Sequence, residues 1–202
     1  MKNILITTLL TGLAFSASVS ASNTEKNEDL YTQKSKVQFK SGGVITNLGD
    51  YQGSGFQLSA RVSIPRYFTK RLWEVELYSQ VTYQTSYDDS QAGVDYFDET
   101  ELVVGLDKAV TDNINMYLEI GDLIQNFATD NNTIWKNYGS VYRIGFDVAV
   151  NSGIINVALE HRESKESDTG YSMSYSVFEH LELSYTNVGD YDSLGFSFYG
   201  EF

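Results

Sequence analysis

Apolar and polar residues alternate along most of the chain after residue 34. From Phe56 to Ile64, apolar side chains occupy every second position and polar ones stand between them. The same alternation recurs from Trp73 to Tyr83 and from Tyr142 to Val148. Successive side chains of a β-strand point to opposite faces of its sheet. The pattern therefore predicts an all-β protein whose strands each have one apolar face and one polar face.

The alternating segments predict ten strands, with eight as the competing count. The ten predicted strands are residues 36–47, 54–64, 72–86, 97–107, 113–122, 138–149, 154–163, 169–176, 181–187 and 193–202. Segments 169–176 and 181–187 are shorter than the roughly nine to eleven residues that a membrane strand needs, which keeps eight strands open. Both counts are even, as an antiparallel up-and-down barrel requires.

The connections between these strands alternate between two kinds. Tight turns are predicted at 65–71, 108–113, 150–153 and 177–180, and longer acidic loops at 47–53, 87–98, 123–137, 162–169 and 187–192. Consecutive connections of an up-and-down sheet lie at opposite ends. The layout therefore predicts a transmembrane barrel with short periplasmic turns and longer extracellular loops. A soluble, lipocalin-like barrel is the alternative.

Charged residues recur on the polar face of the predicted strands. Lipid offers no partner for a charge or for an unpaired backbone group, so the sheet has to close and turn its charges inward. We expect these side chains to pair inside the lumen. The predicted network comprises Arg61, Glu76, Glu119, Arg143, Glu160, Arg162 and Glu182.

The first 34 residues differ from the rest of the chain. Lys2 precedes an apolar run that is too short to span a bilayer, and Val19 and Ala21 fit a cleavage pattern of small residues. Residues 1–21 are therefore predicted to be a cleaved signal peptide. The polar segment 22–34 is predicted to be a flexible periplasmic lead, and residues 35–202 the barrel domain.

Composition narrows the chemistry further. The formal net charge of -13 argues against binding to nucleic acid, and the absence of cysteine excludes a disulfide framework. Neither a zinc spacing nor a calcium-loop spacing nor a phosphate-binding loop is present, so no cofactor is predicted. His161 and Ser164 are three residues apart, which puts them on opposite faces of a strand and disfavours catalysis. Acidic residues gather in one predicted extracellular loop at Asp88, Asp89, Asp95, Asp98 and Glu99.

The C-terminal GFSFYGEF, the signal peptide and the phrase KAVTDNINMYLEIG resemble the small OmpA-type and OmpX-type outer-membrane barrels of Gram-negative bacteria. The resemblance implies location in the outer membrane. It also implies that the barrel-assembly machinery reads the aromatic C-terminus, here Phe196, Phe198 and Phe202. Gly200 departs from the family pattern, which usually has an aromatic residue two positions before the end.

These observations favour a non-enzymatic surface barrel that acts through its acidic extracellular loops in adhesion, defence or envelope integrity. A narrow, porin-like channel for ions or small solutes is the main alternative, and a barrel enzyme is a third. The expected partners are outer-membrane lipid and lipopolysaccharide, the assembly machinery, and divalent cations at the loops. The barrel is expected to be a monomer.

Overall fold

The computed structural model describes residues 36–64, 75–91, 93–129, 132–164, 167–177 and 180–201. The predicted signal peptide, the predicted lead at 22–34, the predicted turn at 65–71 and Phe202 lie outside the described residues. The proposed division of the chain into these segments therefore stays a prediction. In the described part of the chain, no helix is long and apolar enough to cross a membrane.

Ten strands account for nearly all of the described residues. They are β1 (Lys36–Leu48), β2 (Tyr51–Ile64), β3 (Val75–Gln91), β4 (Gly93–Thr111), β5 (Ile114–Thr129), β6 (Asn132–Val150), β7 (Gly153–Glu163), β8 (Ser167–Val177), β9 (Leu181–Val188) and β10 (Tyr191–Glu201). Each pairs antiparallel with the next along the chain, and β1 pairs with β10 to close the barrel. The prediction of a ten-strand antiparallel barrel is confirmed, and the eight-strand count is wrong.

The two ends of the barrel are distinct. Lys36 and Glu201 lie at the end that holds both termini of the described chain, which we call the terminal end. The opposite, distal end carries the β1–β2, β3–β4, β5–β6, β7–β8 and β9–β10 connections. Two of these are Gly-Asp turns in which Gly49 and Gly189 have a φ of 58°, a conformation that favours glycine.

The apolar face of the strands forms the outside of the barrel. Residues of this exposed apolar band include Phe39, Phe56, Leu58, Val104, Leu106, Leu118, Ile120, Ile144, Phe146, Val157, Leu159, Met173, Leu183, Leu194, Phe196 and Phe198. A soluble protein rarely exposes so large an apolar surface, whereas a membrane barrel presents it to lipid. The band therefore identifies the barrel as a transmembrane one.

The distal connections differ from the sequence-based expectation. Residues 87–91 continue β3 and residues 93–98 begin β4, with Asp88 opposite Asp95. In the same way, β5 and β6 extend through most of the predicted loop at 123–137. These segments are thus corrected from loop to strand. The backbone pairing of these strands continues past the residues at which apolar, lipid-facing positions alternate with polar, lumen-facing ones.

The strand extensions make the barrel uneven in height. Strands β3–β6 have 17, 19, 16 and 19 residues, and we call them the tall wall. Strands β7–β10 have 11, 11, 8 and 11 residues and form the short wall. Pairing of β6 with β7 runs from Val150↔Gly153 to Ser140↔Glu163, so β6 rises beyond β7 at the distal end.

Tyrosines lie over glycines inside the barrel. Tyr78 of β3 is opposite Gly105 of β4, and a Cβ added at Gly105 would lie 2.1 Å from the ring of Tyr78. Tyr117 covers Gly145 in the same way on the next pair of long strands. Each missing side chain makes room for a ring that lies flat on the wall. The Tyr78 hydroxyl can then donate a hydrogen bond of 2.7 Å to Glu119.

Gly105→Val should therefore displace Tyr78 and break its hydrogen bond to Glu119. We expect the free energy of unfolding in urea, measured in detergent micelles, to fall by about 1–3 kcal/mol. Gly43→Val is the control, because an added Cβ there faces outward and makes ordinary contact with the Phe196 ring at 3.6 Å. Equal losses in both variants would contradict the role assigned to the covered glycine.

Candidate functional site: a sealed lumen beneath a tall wall

The polar faces of the ten strands enclose a cavity of about 730 Å³. Nine carboxylates and five basic side chains are among the described residues that line it. They are Glu76, Glu99, Glu101, Asp107, Glu119, Asp147, Glu160, Glu182 and Glu201, with Lys36, Lys40, Arg61, Arg143 and Arg162. All seven residues of the predicted lumen network thus line the same cavity. The unequal numbers leave it with an excess of negative charge.

Arg143 of β6 is the centre of the densest group of charges. Its guanidinium makes two hydrogen bonds of 2.5 Å to the two carboxylate oxygens of Glu101. It also donates to Glu119 at 3.1 Å and to Glu160 at 2.6 Å. These three acids lie on β4, β5 and β7, so one side chain ties four neighbouring strands together on the lumen side of the sheet.

Arg162 of β7 forms the second half of this group, one step closer to the distal end. It donates to Glu160 at 2.5 Å and to Glu99 at 2.8 Å, and Gln125 donates to the same Glu99 oxygen at 2.8 Å. Glu160 therefore bridges the two arginines. We call Arg143, Arg162, Glu99, Glu101, Glu119 and Glu160 the charge cluster. Because each charge has an opposite partner, the cluster avoids the cost of an isolated buried ion.

The other predicted lumen residues lie nearer the terminal end. Arg61 is 3.7 Å from Asp107 and stacks over the ring of Tyr78, with 3.5 Å between its guanidinium carbon and the ring centroid. Lys40 donates to Glu182 at 2.7 Å. Glu76 lines the cavity on β3, opposite Asp107 in the strand register.

Sequence reasoning missed several partners in this lumen. The predicted network lacks Glu101, Asp107 and Lys40, and the sequence pattern places Glu99 in an extracellular loop. Glu99 instead contributes to the charge cluster and is 6% exposed. The available signal was the period of two, since Glu99, Glu101 and Asp107 are all odd-numbered residues of β4. The outward positions between them include Leu102, Val104 and Leu106, which mark the opposite face.

Aromatic side chains close the lumen on the distal side of the charge cluster. Tyr51, Phe97 and Tyr191 are buried here, and Leu48, Phe127 and Trp135 pack against them. Ring centroids lie 5.3 Å apart for Tyr51 and Phe127 and 6.0 Å apart for Phe97 and Tyr191. We call these six residues the aromatic cap. Arg162 connects the cap to the charge cluster because its guanidinium lies 4.4 Å from the Tyr191 ring centroid.

The cap residues are held by hydrogen bonds as well as by packing. Gln84 of β3 donates to the Tyr191 hydroxyl at 2.5 Å, and the hydroxyl groups of Tyr51 and Ser86 are 2.9 Å apart. The residues that line the cavity reach from Lys36 at the terminal end to Tyr191 and include neither Phe97 nor Tyr51. The cavity therefore extends past the charge cluster, which lines its wall, and ends beneath the cap, which obstructs passage through the barrel.

The predicted acidic loop is divided between the faces of the tall wall. Asp88 and Asp95 are opposite each other in the β3–β4 hairpin. Asp98 faces outward and accepts a hydrogen bond of 3.3 Å from Tyr83, whereas Glu99 faces the lumen. The Asp89 backbone belongs to β3. Among the described residues, no group of three or more His, Asp or Glu side chains is arranged to hold a metal ion.

His161 lies on the outer face of β7 near the distal rim. Its Nδ1 is 2.8 Å from the Thr169 hydroxyl, and its Nε2 is 3.4 Å from the Ser167 hydroxyl. The ring also lies beside Tyr142, with 6.1 Å between centroids. These contacts hold the imidazole between hydroxyl groups at the membrane rim. The longer distance is at the limit of a hydrogen bond and gives little activation of a serine nucleophile.

The aromatic residues assigned to the assembly signal are on the lipid-facing side of β10. Phe196 and Phe198 are 44% and 57% exposed, and their ring centroids are 5.3 Å apart. Phe202 lies outside the described residues. The two described rings are therefore accessible from the membrane side of the final strand.

No protein-family model matches the chain, and a search of curated proteins finds no match. Several solved structures resemble it in fold. One of them is Ail, the attachment invasion locus protein of Yersinia pestis, in complex with the heparin analogue sucrose octasulfate. Ail is 9% identical over 82% of this chain and 99% of its own chain, with a TM-score of 0.48. Neisserial surface protein A is 11% identical over 83% of this chain and 95% of its own chain, with a TM-score of 0.42. OprG from Pseudomonas aeruginosa is 12% identical over 82% of this chain and 96% of its own chain, with a TM-score of 0.38.

The fold and the site together define the class of this protein. It is a small transmembrane β-barrel with an apolar exterior and an ion-paired lumen. The aromatic cap obstructs one end of that lumen, and the tall wall stands beyond the short wall at the same end.

Removing the central arginine tests whether the charge cluster stabilises the barrel. Arg143→Ala leaves Glu101 and Glu119 without their shared cation, and breaking a buried pair in this way costs about 3–5 kcal/mol. We expect a loss of this size in the free energy of unfolding in urea. Adding Glu101→Gln to this variant should restore part of the lost free energy of unfolding, because it removes one of the carboxylate charges left without a cation.

Lys36→Ala is the matched control for this experiment. It breaks the Lys36–Glu201 pair, whose side chains are 67% and 50% exposed. Exposed pairs contribute about 0–1 kcal/mol, so this variant should unfold nearly as the wild type does. If Arg143→Ala and Lys36→Ala have similar stability, the cluster does not act as a buried network.

Proposed function

We propose that this chain is a non-enzymatic outer-membrane protein of a Gram-negative bacterium that acts on the cell surface through the distal end of its barrel. In this proposal the barrel is a closed scaffold for the tall wall and conducts no solute. The observation that carries the proposal is the obstruction of the lumen by the aromatic cap.

The contacts inside the lumen support a scaffold rather than a channel. A channel needs a continuous wet path, whereas the cavity lined by Arg143 and its partners ends beneath the aromatic cap. Phe97 lies beyond this point and is completely buried. The cap consists of side chains on paired strands of the barrel, which favours a permanent closure over a mobile gate.

The distribution of charge supports a role for the distal end. Acidic side chains of described residues gather there at Asp50, Asp88, Asp95, Asp98, Glu163, Asp168 and Asp190. Carboxylates that project into water from a rigid wall can attract basic partners. They also offer the oxygen ligands that divalent cations prefer, and such cations bridge acidic surfaces to the phosphates of lipopolysaccharide.

The remaining partners follow from the outer face. In this proposal lipid and lipopolysaccharide surround the apolar band, and Phe196, Phe198 and Phe202 form the signal for the barrel-assembly machinery. A monomer remains the expected state, and the β1–β10 pairing is consistent with it because the sheet closes without a strand from a second chain.

Conductance in planar lipid bilayers tests the closed lumen. We expect no channel steps from the wild type. Phe97→Ala alone should also remain silent, because the other five residues of the cap still close the lumen above the cavity. Phe97→Ala combined with Glu99→Ser and Arg162→Ser should conduct, since it opens the cap and removes an ion pair without stranding a charge. Reproducible steps from the wild type would instead favour the pore.

Cysteine labelling on intact cells tests the location and the orientation. The chain has no cysteine, so a single one can be introduced without background. Asp50→Cys lies in the β1–β2 turn at the distal end, and Asp112→Cys lies in the matching β4–β5 turn at the terminal end. A membrane-impermeant maleimide should label the first on whole cells and the second only after the outer membrane is permeabilised. The reverse result would put the tall wall in the periplasm and contradict the proposed function.

A further inference from the structure

The lumen contains the same structural unit twice, once with a basic side chain and once without. In each unit a tyrosine lies over a glycine of the next strand, and an aspartate follows that glycine by two residues. The first unit is Tyr78, Gly105 and Asp107 on β3 and β4, and the second is Tyr117, Gly145 and Asp147 on β5 and β6. Both aspartates line the cavity, so the two units can be compared directly.

A basic side chain completes the first unit. The guanidinium carbon of Arg61 lies 3.5 Å from the centroid of the Tyr78 ring, and its Nη2 is 3.7 Å from Asp107. Arg61 comes from β2, where it is opposite Gln80, two residues beyond Tyr78. The first unit thus holds a cation between an aromatic face and a carboxylate, both of which attract positive charge.

The second unit has the ring and the carboxylate but no cation from the described residues. Two residues beyond Tyr117 is Glu119, and the residue opposite it on β4 is Gly105. Gly105 therefore has the position that corresponds to Arg61, and it supplies no charge. Among the described residues, no basic side chain lies over the Tyr117 ring, and the ion pairs do not include Asp147.

Neutral groups hold Asp147 in place. Asn156 of β7 donates to its Oδ1 at 2.7 Å and donates to the Tyr117 hydroxyl at 2.9 Å. These hydrogen bonds fix the carboxylate beside the ring without neutralising it. A charge in a narrow lumen is costly when it has no counter-ion. The second unit is thus arranged for a cation that the described part of the chain does not provide.

Small side chains on the opposite side of the lumen leave room for such a cation. Strands β8–β10 lie across the closed barrel from β3–β5. Their hydroxyl residues that line the cavity are Ser172, Ser174, Ser176, Ser184, Thr186 and Ser193. The cavity of about 730 Å³ reaches Lys36 and Glu201 at the terminal end. Those two side chains are 67% and 50% exposed, so a solute can enter from this end.

We propose that the cavity binds a linear polyamine, with one ammonium group held between the Asp147 carboxylate and the face of the Tyr117 ring. Nine lining carboxylates against five basic side chains favour a ligand with several positive charges. No group of three or more acidic or histidine side chains among the described residues is arranged for a metal ion. Ammonium groups spaced along a flexible chain fit these distributed carboxylates better than one compact ion does.

The ligand enters at the terminal end, which faces the periplasm in the orientation of the proposed function. The binding itself does not depend on that orientation, because the cavity and both units belong to the barrel alone. The inference therefore goes beyond the role proposed for the distal end.

The first test measures spermidine binding to the purified barrel in an uncharged detergent by titration calorimetry. We expect saturable binding to the wild type and at least tenfold weaker binding to Asp147→Asn, which keeps an acceptor for Asn156 but removes the charge. Asp112→Asn is the matched control, because this exposed carboxylate lies in the β4–β5 turn at the terminal end and does not line the cavity. The control should bind as the wild type does. Equal affinity of all three proteins, or no saturable binding to the wild type, would overturn the inference.

The second test supplies the cation from the chain itself. Asn156 is opposite Asp147 in the strand register, so Asn156→Lys puts an ammonium group beside the carboxylate. We expect this variant to fold, as judged by heat-modifiable migration on gels, and to bind spermidine at least tenfold more weakly than the wild type. Wild-type affinity in the folded variant would overturn the inference.

Protection of the wild type decides the matter if neither cavity variant folds. A ligand that binds only the folded barrel stabilises it. Spermidine should therefore raise the urea midpoint of the wild type, and magnesium chloride at the same ionic strength should not. Equal shifts would assign the effect to charge screening and overturn the site.

These measurements separate the inference from the proposed function. A wild type that conducts ions would contradict the closed scaffold and leave the dependence of binding on Asp147 unchanged. Labelling that puts the tall wall in the periplasm would contradict the surface role without altering the affinity of the purified protein for spermidine. Failure to bind spermidine in a silent, surface-exposed barrel would overturn the polyamine site alone.

Discussion

A backbone amide in the hydrocarbon of a membrane has no water to pair with, and the rest of this structure depends on that constraint. Each unpaired group would cost several kcal/mol, so a sheet that spans the membrane has to close. Here the closure is the antiparallel register from Gln38↔Glu201 to Leu48↔Tyr191. Once the ring is closed, every second side chain points to lipid and the others point into a narrow lumen. This division explains why apolar and polar residues alternate along the sequence.

Closure in a ten-strand barrel creates a second problem, because the polar side chains are crowded into a small volume. Water cannot fully hydrate them there, so each charge needs a protein partner. Arg143 and Arg162 share Glu160, Tyr78 donates to the second oxygen of Glu119, and Gln125 adds a second donor to the Glu99 oxygen that Arg162 binds. The glycines opposite the tyrosines leave the space that this arrangement requires. The charge pairs thus stabilise the wall of the lumen, whereas the aromatic cap closes it.

The period of two was sufficient to predict the ten strands and the lumen-facing side of each, including Arg143, Arg162 and Glu160. It could not predict the pairs, because Glu101 reaches Arg143 from a strand two places away and depends on the curvature of the barrel. It also could not predict the tall wall. Beyond the membrane neither face is lipid, so alternation fades around Asp88 and Asp95 while the backbone ladder continues. Acidic, glycine-containing sequence there is typical of a loop, and only the pairing shows that it is strand.

The uneven height of the barrel follows from the same constraint that closes it. A free strand edge is tolerable in water, where its backbone groups can be hydrated, but not in hydrocarbon. The membrane boundary must therefore lie at or below the level where β7 leaves β6, at Ser140 and Glu163. Eleven residues of β7, tilted by about 45°, span roughly 25 Å, which matches the apolar band of a membrane barrel. Because the short wall already uses that thickness, the additional residues of β3–β6 can only stand in water, with the aromatic cap at their base.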